Sequence, residues 1–177
     1  MLLKCCTQYA TDLEHYGGGS SSAKFGGTAK FNAYGNVMSL INSENYQQVT
    51  GFTENYALAR IFHGATNLIS AEHLILPVTT LYNGCYYGMF KGCRSLTTAP
   101  ELPATTLAPY CYEEMFYYCT SLNYIKCLAT DISATECTYM WLNNAAASGT
   151  FVKNPDMNDW PTGISGIPSG WTVIDAE

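Results

Sequence analysis

A repeated motif in the middle of the chain restricts its fold more than any other feature. Residues Cys85–Leu96 read CYYGMFKGCRSL and residues Cys111–Leu122 read CYEEMFYYCTSL, so Cys, Tyr, Met, Phe, Cys, Ser and Leu recur at an offset of 26 residues. Weaker copies begin at Ala59 and at Leu122. Four copies therefore run from about residue 56 to residue 148. One such unit is too short to enclose a core, so we expect each copy to pack on the next.

Each copy has two halves with different patterns. In one half, Cys111, Met115 and Cys119 recur at every fourth residue, which predicts a helical piece that buries these three side chains. The other half, Leu96–Pro103, is rich in Thr and Pro, and this predicts a brief extended segment that enters a turn. If the copies stack, matching places in successive units are occupied by Phe62, Phe90, Phe116 and Leu142.

The unit L-x-x-A-P-E-L-P-A-T-T-L-x-x-x-C-Y-x-x-M-F-x-x-C-x-S resembles the BspA-like class of leucine-rich repeats. This class is found on surface proteins of Bacteroides and related bacteria, and in their phages. Two copies match it closely and two loosely, and Tyr34–Leu40 and Phe151–Val173 are similar to segments that bracket such repeats. The resemblance implies an α/β repeat, folded as a short right-handed solenoid of about four coils with the strands on its concave side. It also implies adhesion or partner binding without catalysis.

The repeat divides the chain into four parts. We expect an N-terminal peptide with a Gly/Ser tether over 1–22, an N-terminal cap over 23–55, repeat coils over 56–148 and a C-terminal cap over 149–177. Candidate residues of the N-terminal cap are Val37, Met38, Leu40 and Ile41. The last part contains Trp160 and Trp171, which favours indoles that cover the final coil, with a tryptophan-lined ligand site as the alternative.

Composition and charge exclude several classes of partner. The chain has 8 Lys and Arg against 14 Asp and Glu, a net charge of −6, and no basic cluster, so a nucleic acid is not expected to bind. Its apolar runs are too short to span a membrane. Residues 1–16 lack the apolar core of a signal peptide, whereas the family resemblance implies an extracellular or cell-surface location. A location in a virion is the alternative.

The cysteines and histidines predict neither a metal site nor a catalytic centre. The 8 cysteines include no C-x-x-C pair, and His15, His63 and His73 are scattered, so no metal or other cofactor is expected. The chain also lacks the motifs of common hydrolases, and we do not expect an enzyme. Buried free thiols are favoured for the repeat cysteines, and cross-links between stacked copies remain the alternative.

Tyrosine is the side chain most suited to binding. Exposed tyrosines provide a large contact area with few rotatable bonds, as in many binding surfaces. The alternative is that the stacked tyrosines pack against one another, and a competing binding site is the inner face of the strands. The tyrosine candidates are Tyr86, Tyr87, Tyr112, Tyr117 and Tyr118, and the strand candidates are Thr97, Thr98 and Glu101.

These observations predict a non-enzymatic recognition or adhesion module that displays a rigid surface to a host protein or glycan. The alternative is a structural component of a phage virion, such as a capsid decoration, a head fibre or a tail-associated protein. In that case the N-terminal peptide would anchor the module to capsid or tail proteins.

Overall fold

The computed structural model describes residues 25–41, 44–49 and 51–177 in full, and residues 4–5, 13–15 and 21–23 as backbone strands. Within these residues the regular structure consists of short strands and two 3₁₀-helices. The 3₁₀-helices span Val37–Leu40 and Tyr46–Gln48. The strands are β1 Lys4–Cys5, β2 Leu13–His15, β3 Ser21–Ala23, β4 Phe31–Asn36, β5 Leu68–Ile75, β6 Tyr124–Cys127, β7 Gly149–Lys153 and β8 Trp171–Asp175.

Parallel pairing dominates the body of the molecule. One sheet has the order β1-β4-β5 and another the order β6-β7-β8, and the pairs β4–β5, β6–β7 and β7–β8 are all parallel. Single bridges from Ser70 to Thr98 and from Thr98 to Tyr124 connect the two sheets across the short extended segment that follows Leu96. This half of the repeat is therefore extended, as its composition predicted, and it adds to the parallel strand pairing.

The half of the repeat that was expected to be helical is a ribbon of turns. Four turn segments, 56–65, 84–93, 110–119 and 136–145, each hold a residue with φ between 49° and 77° at every fourth position. Such left-handed residues cannot occur inside a right-handed helix. In the segment 84–93 they are Gly84, Gly88 and Gly92, which adopt this conformation without a Cβ penalty.

Hydrogen bonds of two kinds alternate along the first three turn segments. The amide of Tyr87 bonds back to the carbonyl of Gly84 at 2.9 Å and closes a turn, whereas the amide of Gly88 bonds to the carbonyl of Glu113 in the next segment at 2.9 Å. The same alternation recurs along the first and third segments, so that every second amide in these three segments belongs to a ladder between segments. This ladder satisfies backbone groups that a helix would satisfy internally.

The core lies between the turn segments and the strands, and its phenylalanines are stacked. The Phe62 and Phe90 rings lie 5.2 Å apart and the Phe90 and Phe116 rings 5.4 Å apart, with interplanar angles of 1° and 5°. The expected alignment is thus confirmed for these three side chains. Leu142 is also buried.

The predicted α/β leucine-rich-repeat solenoid is nevertheless wrong. The described part of the chain contains no α-helix, and its regular structure is mostly short strands in small parallel sheets. The error has a physical cause. A buried residue at every fourth position fits one face of a helix, but it fits a ribbon of four-residue turns equally well.

The N-terminal region differs in part from the expected cap and tether. Val37 and Met38 are buried, but Leu40 and Ile41 are exposed. Part of the predicted N-terminal peptide and tether, including residues 16–20, lies outside the described residues. Where the backbone is described, β1 pairs with β4, and Ser21 and Ser22 pair with β2, so this part of the predicted tether is a strand.

Candidate binding faces

The outward positions of the second and third turn segments form one continuous surface. We call this surface the tyrosine face and define it by Tyr87, Lys91, Glu114, Tyr117 and Tyr118. Each turn repeat places two side chains in the core and the next two outside, because its period is four residues. The ladder then sets the outer side chains of one segment directly beside those of the next.

A network of charged and aromatic groups orders the tyrosine face. The Tyr87 hydroxyl donates to Glu114 Oε2 at 3.0 Å, and Lys91 Nζ donates to the same oxygen at 2.7 Å. Lys91 Nζ also lies 4.9 Å from the centre of the Tyr117 ring, in a cation–π contact. From the first turn segment, Arg60 reaches the Tyr87 ring, with its guanidinium carbon 5.0 Å from the ring centre.

Two adjacent carboxylates on this side of the molecule have opposite electrostatic environments. Burial opposes ionisation of Glu114, but hydrogen bonds from Lys91 and Tyr87 outweigh it and lower the pKa of this carboxyl. Burial raises the pKa of Glu113, and the nearby carboxylates of Glu136 and Glu114 raise it further. The folded protein therefore favours the ionised form of Glu114 and disfavours that of Glu113.

Tyr118 projects from the ordered part of the face. Its ring meets the Tyr117 ring edge-on, with centroids 4.5 Å apart and an interplanar angle of 83°. Its side chain remains 43% exposed. The face thus presents a large aromatic group whose neighbour is itself fixed by Lys91.

Two of the five candidate tyrosines do not reach the surface. Tyr86 is 1% exposed and Tyr112 is 0% exposed, and their rings lie 6.1 Å apart in a stacked arrangement. The interpretation of these two as binding residues is wrong, because each follows a buried cysteine and occupies the second inward position of its turn. For this pair the packing alternative is correct, whereas Tyr87, Tyr117 and Tyr118 are on the outside.

Of the competing strand candidates, Thr98 lies on a second surface, the sheet face, which carries the outward row Ser70, Thr98, Tyr124, Thr150 and Thr172. Tyr124 is 39% exposed and Thr98 is half-buried beside it.

Thr97 and Glu101 already have partners within the protein. The Thr97 hydroxyl donates to the carbonyl of Ile69 at 3.1 Å, and Glu101 is paired with Lys126 at 2.9 Å. Their polar groups are therefore less available to a ligand than the hydroxyl of Tyr124.

Sequence reasoning missed Arg60, Lys91 and Glu114, the charged residues that order the tyrosine face. Arg60, Tyr87 and Glu114 follow one another at intervals of 27 residues and are joined by hydrogen bonds. Aligning the weak first copy with the strong copies, residue by residue, would have placed Arg60 and Lys91 beside the tyrosines. The glycines at 84, 88 and 92 were a second unused signal, because glycine at every fourth residue disfavours a helix and suits left-handed turns.

The cysteines and tryptophans serve packing. Six cysteines from Cys85 to Cys137 are buried and free, which confirms the expected core thiols for this part of the chain. The thiols of Cys93 and Cys119 donate to the carbonyls of Phe62 and Phe90, both at 3.0 Å. Burial raises the pKa of Cys93 to about 12, so this thiol is un-ionised at neutral pH.

The two tryptophans of the C-terminal region are buried, and this agrees with the covering role rather than with a ligand site. Trp160 stacks on Trp141 with ring centres 5.3 Å apart. The Trp171 indole N–H donates to the carbonyl of Ala146 at 2.8 Å.

The search for metal sites and membrane spans was limited to the described residues. Among them, no three His, Cys, Asp or Glu side chains are grouped to bind a metal ion. None of their helices has the length and apolar character needed to cross a membrane. His63 lies in the first turn segment, and His73 lies exposed on β5.

Comparison with known proteins gives no match. No family model, no curated protein and no solved structure is significantly similar to this chain. The BspA-like assignment therefore stays a prediction from the repeat motif.

Proposed function

We propose that the protein is a non-enzymatic recognition module that binds a protein or glycan ligand through the tyrosine face. The observation that carries this proposal is the network of Tyr87, Lys91 and Glu114, which orders the surface beneath an exposed Tyr118. A surface whose side chains are already fixed loses little conformational entropy on binding.

The charged groups of the face support a role in positioning rather than in proton transfer. Lys91 and Glu114 are bonded to each other, and their side chains are only 25% and 15% exposed. The lowered pKa of Glu114 keeps it ionised near neutral pH, whereas a general acid needs a pKa closer to the working pH. Lys91 also contacts Tyr117, so this pair holds aromatic groups in place.

A pair of tyrosine variants tests the proposal and distinguishes the two faces. Tyr118 and Tyr124 are the same residue type with similar exposure, 43% and 39%, but they lie on the tyrosine face and on the sheet face respectively. We expect Tyr118→Ala to weaken binding by about tenfold or more, as for a central aromatic contact, and Tyr124→Ala to leave it unchanged. Neither change removes a buried side chain, so both variants should keep the wild-type melting temperature.

The assay presents the labelled full chain to a glycan array and to an array of extracellular proteins. Signals that disappear with Tyr118→Ala and persist with Tyr124→Ala support the proposal. The opposite pattern assigns recognition to the sheet face and contradicts the role of the tyrosine face. A wild-type chain that binds nothing on either array contradicts the recognition function itself.

Cell-surface display and the virion alternative remain predictions. Both would use the same module, and they differ in what its N-terminal part is attached to. Of residues 1–22, only β1, β2 and the first two residues of β3 are described.

A further inference from the structure

The ladder between turn segments ends at a cleft beside the fourth segment. The cleft has a volume of about 300 Å³, and it lies between residues 142–147 and the C-terminal region around Ile164 and Pro168. The residues that line it include Leu142 and Asn144, the two positions that would continue the ladder. This cleft is separate from both the tyrosine face and the sheet face.

In the three preceding segments, the corresponding amides are all bonded to carbonyls of the following segment. Phe62 and Gly64, Phe90 and Gly92, and Phe116 and Tyr118 each donate at distances of 2.7–3.0 Å, to carbonyls two residues apart. In the fourth segment, Met140 donates to the carbonyl of Ile164 at 2.9 Å, and the amides of Leu142 and Asn144 have no acceptor among the described residues.

Unpartnered amides of this kind are rare and unfavourable. A buried N–H without an acceptor is unfavourable, and Leu142 as a residue is only 2% exposed, whereas Asn144 is exposed. An acceptor that approaches from the cleft would recover this energy. The ladder shows which geometry is needed, namely two oxygen atoms spaced like carbonyls of alternate residues.

The lining of the cleft favours a peptide over an anion. Its side chains are small, apolar or amide-bearing, and no Lys or Arg is among them. An anion would therefore meet two amides but no positive side chain. Ile164 is 51% exposed at the rim and provides an apolar wall for a side chain of a bound segment.

We infer that this cleft docks a polypeptide segment of a partner protein, in the same turn conformation as residues 110–119. The segment donates no group of its own to the ladder; two of its backbone carbonyls accept from the amides of Leu142 and Asn144. We choose a polypeptide as the occupant because four successive segments of this chain already bond to one another in this way. The inference is independent of what binds the tyrosine face.

The free protein supplies the first test. We expect the amides of Leu142 and Asn144 to exchange with deuterium faster than those of Phe116 and Tyr118, which occupy the same places one segment earlier. Residue-resolved hydrogen exchange by NMR of the full chain measures all four. If the Leu142 and Asn144 amides are as protected as the other two, the ladder is not open and the inference fails.

The second test adds a peptide with the sequence of residues 109–120, in which both cysteines are replaced by alanine. At millimolar concentration it should shift the amide resonances of Leu142 and Asn144 and slow their exchange. A scrambled peptide of the same composition and inorganic phosphate should do neither. No shift with the peptide, an equal shift with the scrambled peptide, or a shift with phosphate alone would each overturn the inference.

Matched variants identify the contact. Ile164→Asp places a carboxylate at the rim of the cleft and should weaken peptide binding by tenfold or more. Ile75→Asp is the control, because Ile75 is also 51% exposed but does not line the cleft. Asn144→Gly keeps the amide and suits the φ of +62°, so it should bind as well as wild type. Loss of binding with Asn144→Gly would show side-chain recognition and contradict the proposed backbone contact.

Discussion

Replacing Gly88 with alanine distinguishes a turn ribbon from a helix by the sign of its effect on stability. Gly88 has φ +54°, and an added Cβ would lie 3.4 Å from Arg60 Cγ and 3.8 Å from Lys91 Cβ. Both distances are ordinary contacts, so the backbone conformation rather than lack of space decides the outcome.

The expected magnitude follows from two opposing contributions. An L-residue in the left-handed region costs about 1–2 kcal/mol. Alanine also restricts the unfolded chain, which offsets about 0.4–1 kcal/mol of that cost. We therefore expect Gly88→Ala to lower the free energy of unfolding by roughly 1 kcal/mol. In a helix the same change would raise it by about 1 kcal/mol.

Urea unfolding followed by circular dichroism measures the effect, and the melting temperature should fall by about 2–4 °C. Gly51→Ala is the control, because an added Cβ there meets no atom of the described residues within 4 Å and Gly51 is outside the left-handed region. This control should be neutral or slightly stabilising. If Gly88→Ala stabilises the protein while Gly51→Ala behaves as expected, the left-handed turn at residue 88 is refuted.

Three further predictions concern the charges and the core. At neutral pH, Glu113→Gln should raise the free energy of unfolding and Glu114→Gln should lower it, because folding raises the pKa of Glu113 and lowers that of Glu114. Urea unfolding at a series of pH values measures the difference in free energy of unfolding between each variant and wild type. Both differences should decrease as the pH falls through the pKa that each carboxyl has in the folded protein. Burial raises the pKa of Cys85 to about 12, so this thiol should react with a thiolate-selective reagent only after unfolding, as peptide mapping would show. The buried Tyr86 hydroxyl has no hydrogen-bond partner among the described residues, so thermal melts should find Tyr86→Phe as stable as wild type or more so.

The sequence was sufficient to predict which residues stack but not the backbone that stacks them. The offset between copies aligned Phe62, Phe90 and Phe116, because identical positions in neighbouring units meet when the units pack. It could not distinguish a helix from a turn ribbon, since both bury residues at every fourth position. The difference lies in the backbone dihedral angles. In the sequence, these angles were indicated only by the glycines at positions 84, 88 and 92, which adopt positive φ.

The same ambiguity limited the candidate site. In a helix, successive residues are rotated by about 100°, so Tyr86 and Tyr87 would both flank the buried arc. In a four-residue turn, two side chains point inward and two outward, which buries Tyr86 and leaves Tyr87 at the surface. Residue type alone therefore placed Tyr87 on the surface correctly and Tyr86 wrongly. The partners of Tyr87 depend on the ladder, which brings Arg60 and Glu114 to its two sides.

The ladder also explains how this fold can vary its surface without losing its core. Arg60, Gly88, Glu114 and Met140 occupy equivalent left-handed positions, with φ values of 60°, 54°, 53° and 53°, yet their side chains have nothing chemical in common. The bonds that hold these positions come from the backbone, and the packing comes from the inward residues of each turn. The outward side chains are thus free to set the chemistry of binding. For this reason Tyr118→Ala is expected to change ligand binding while the melting temperature stays constant, and a large fall in stability would show that the outward side chains also support the ladder.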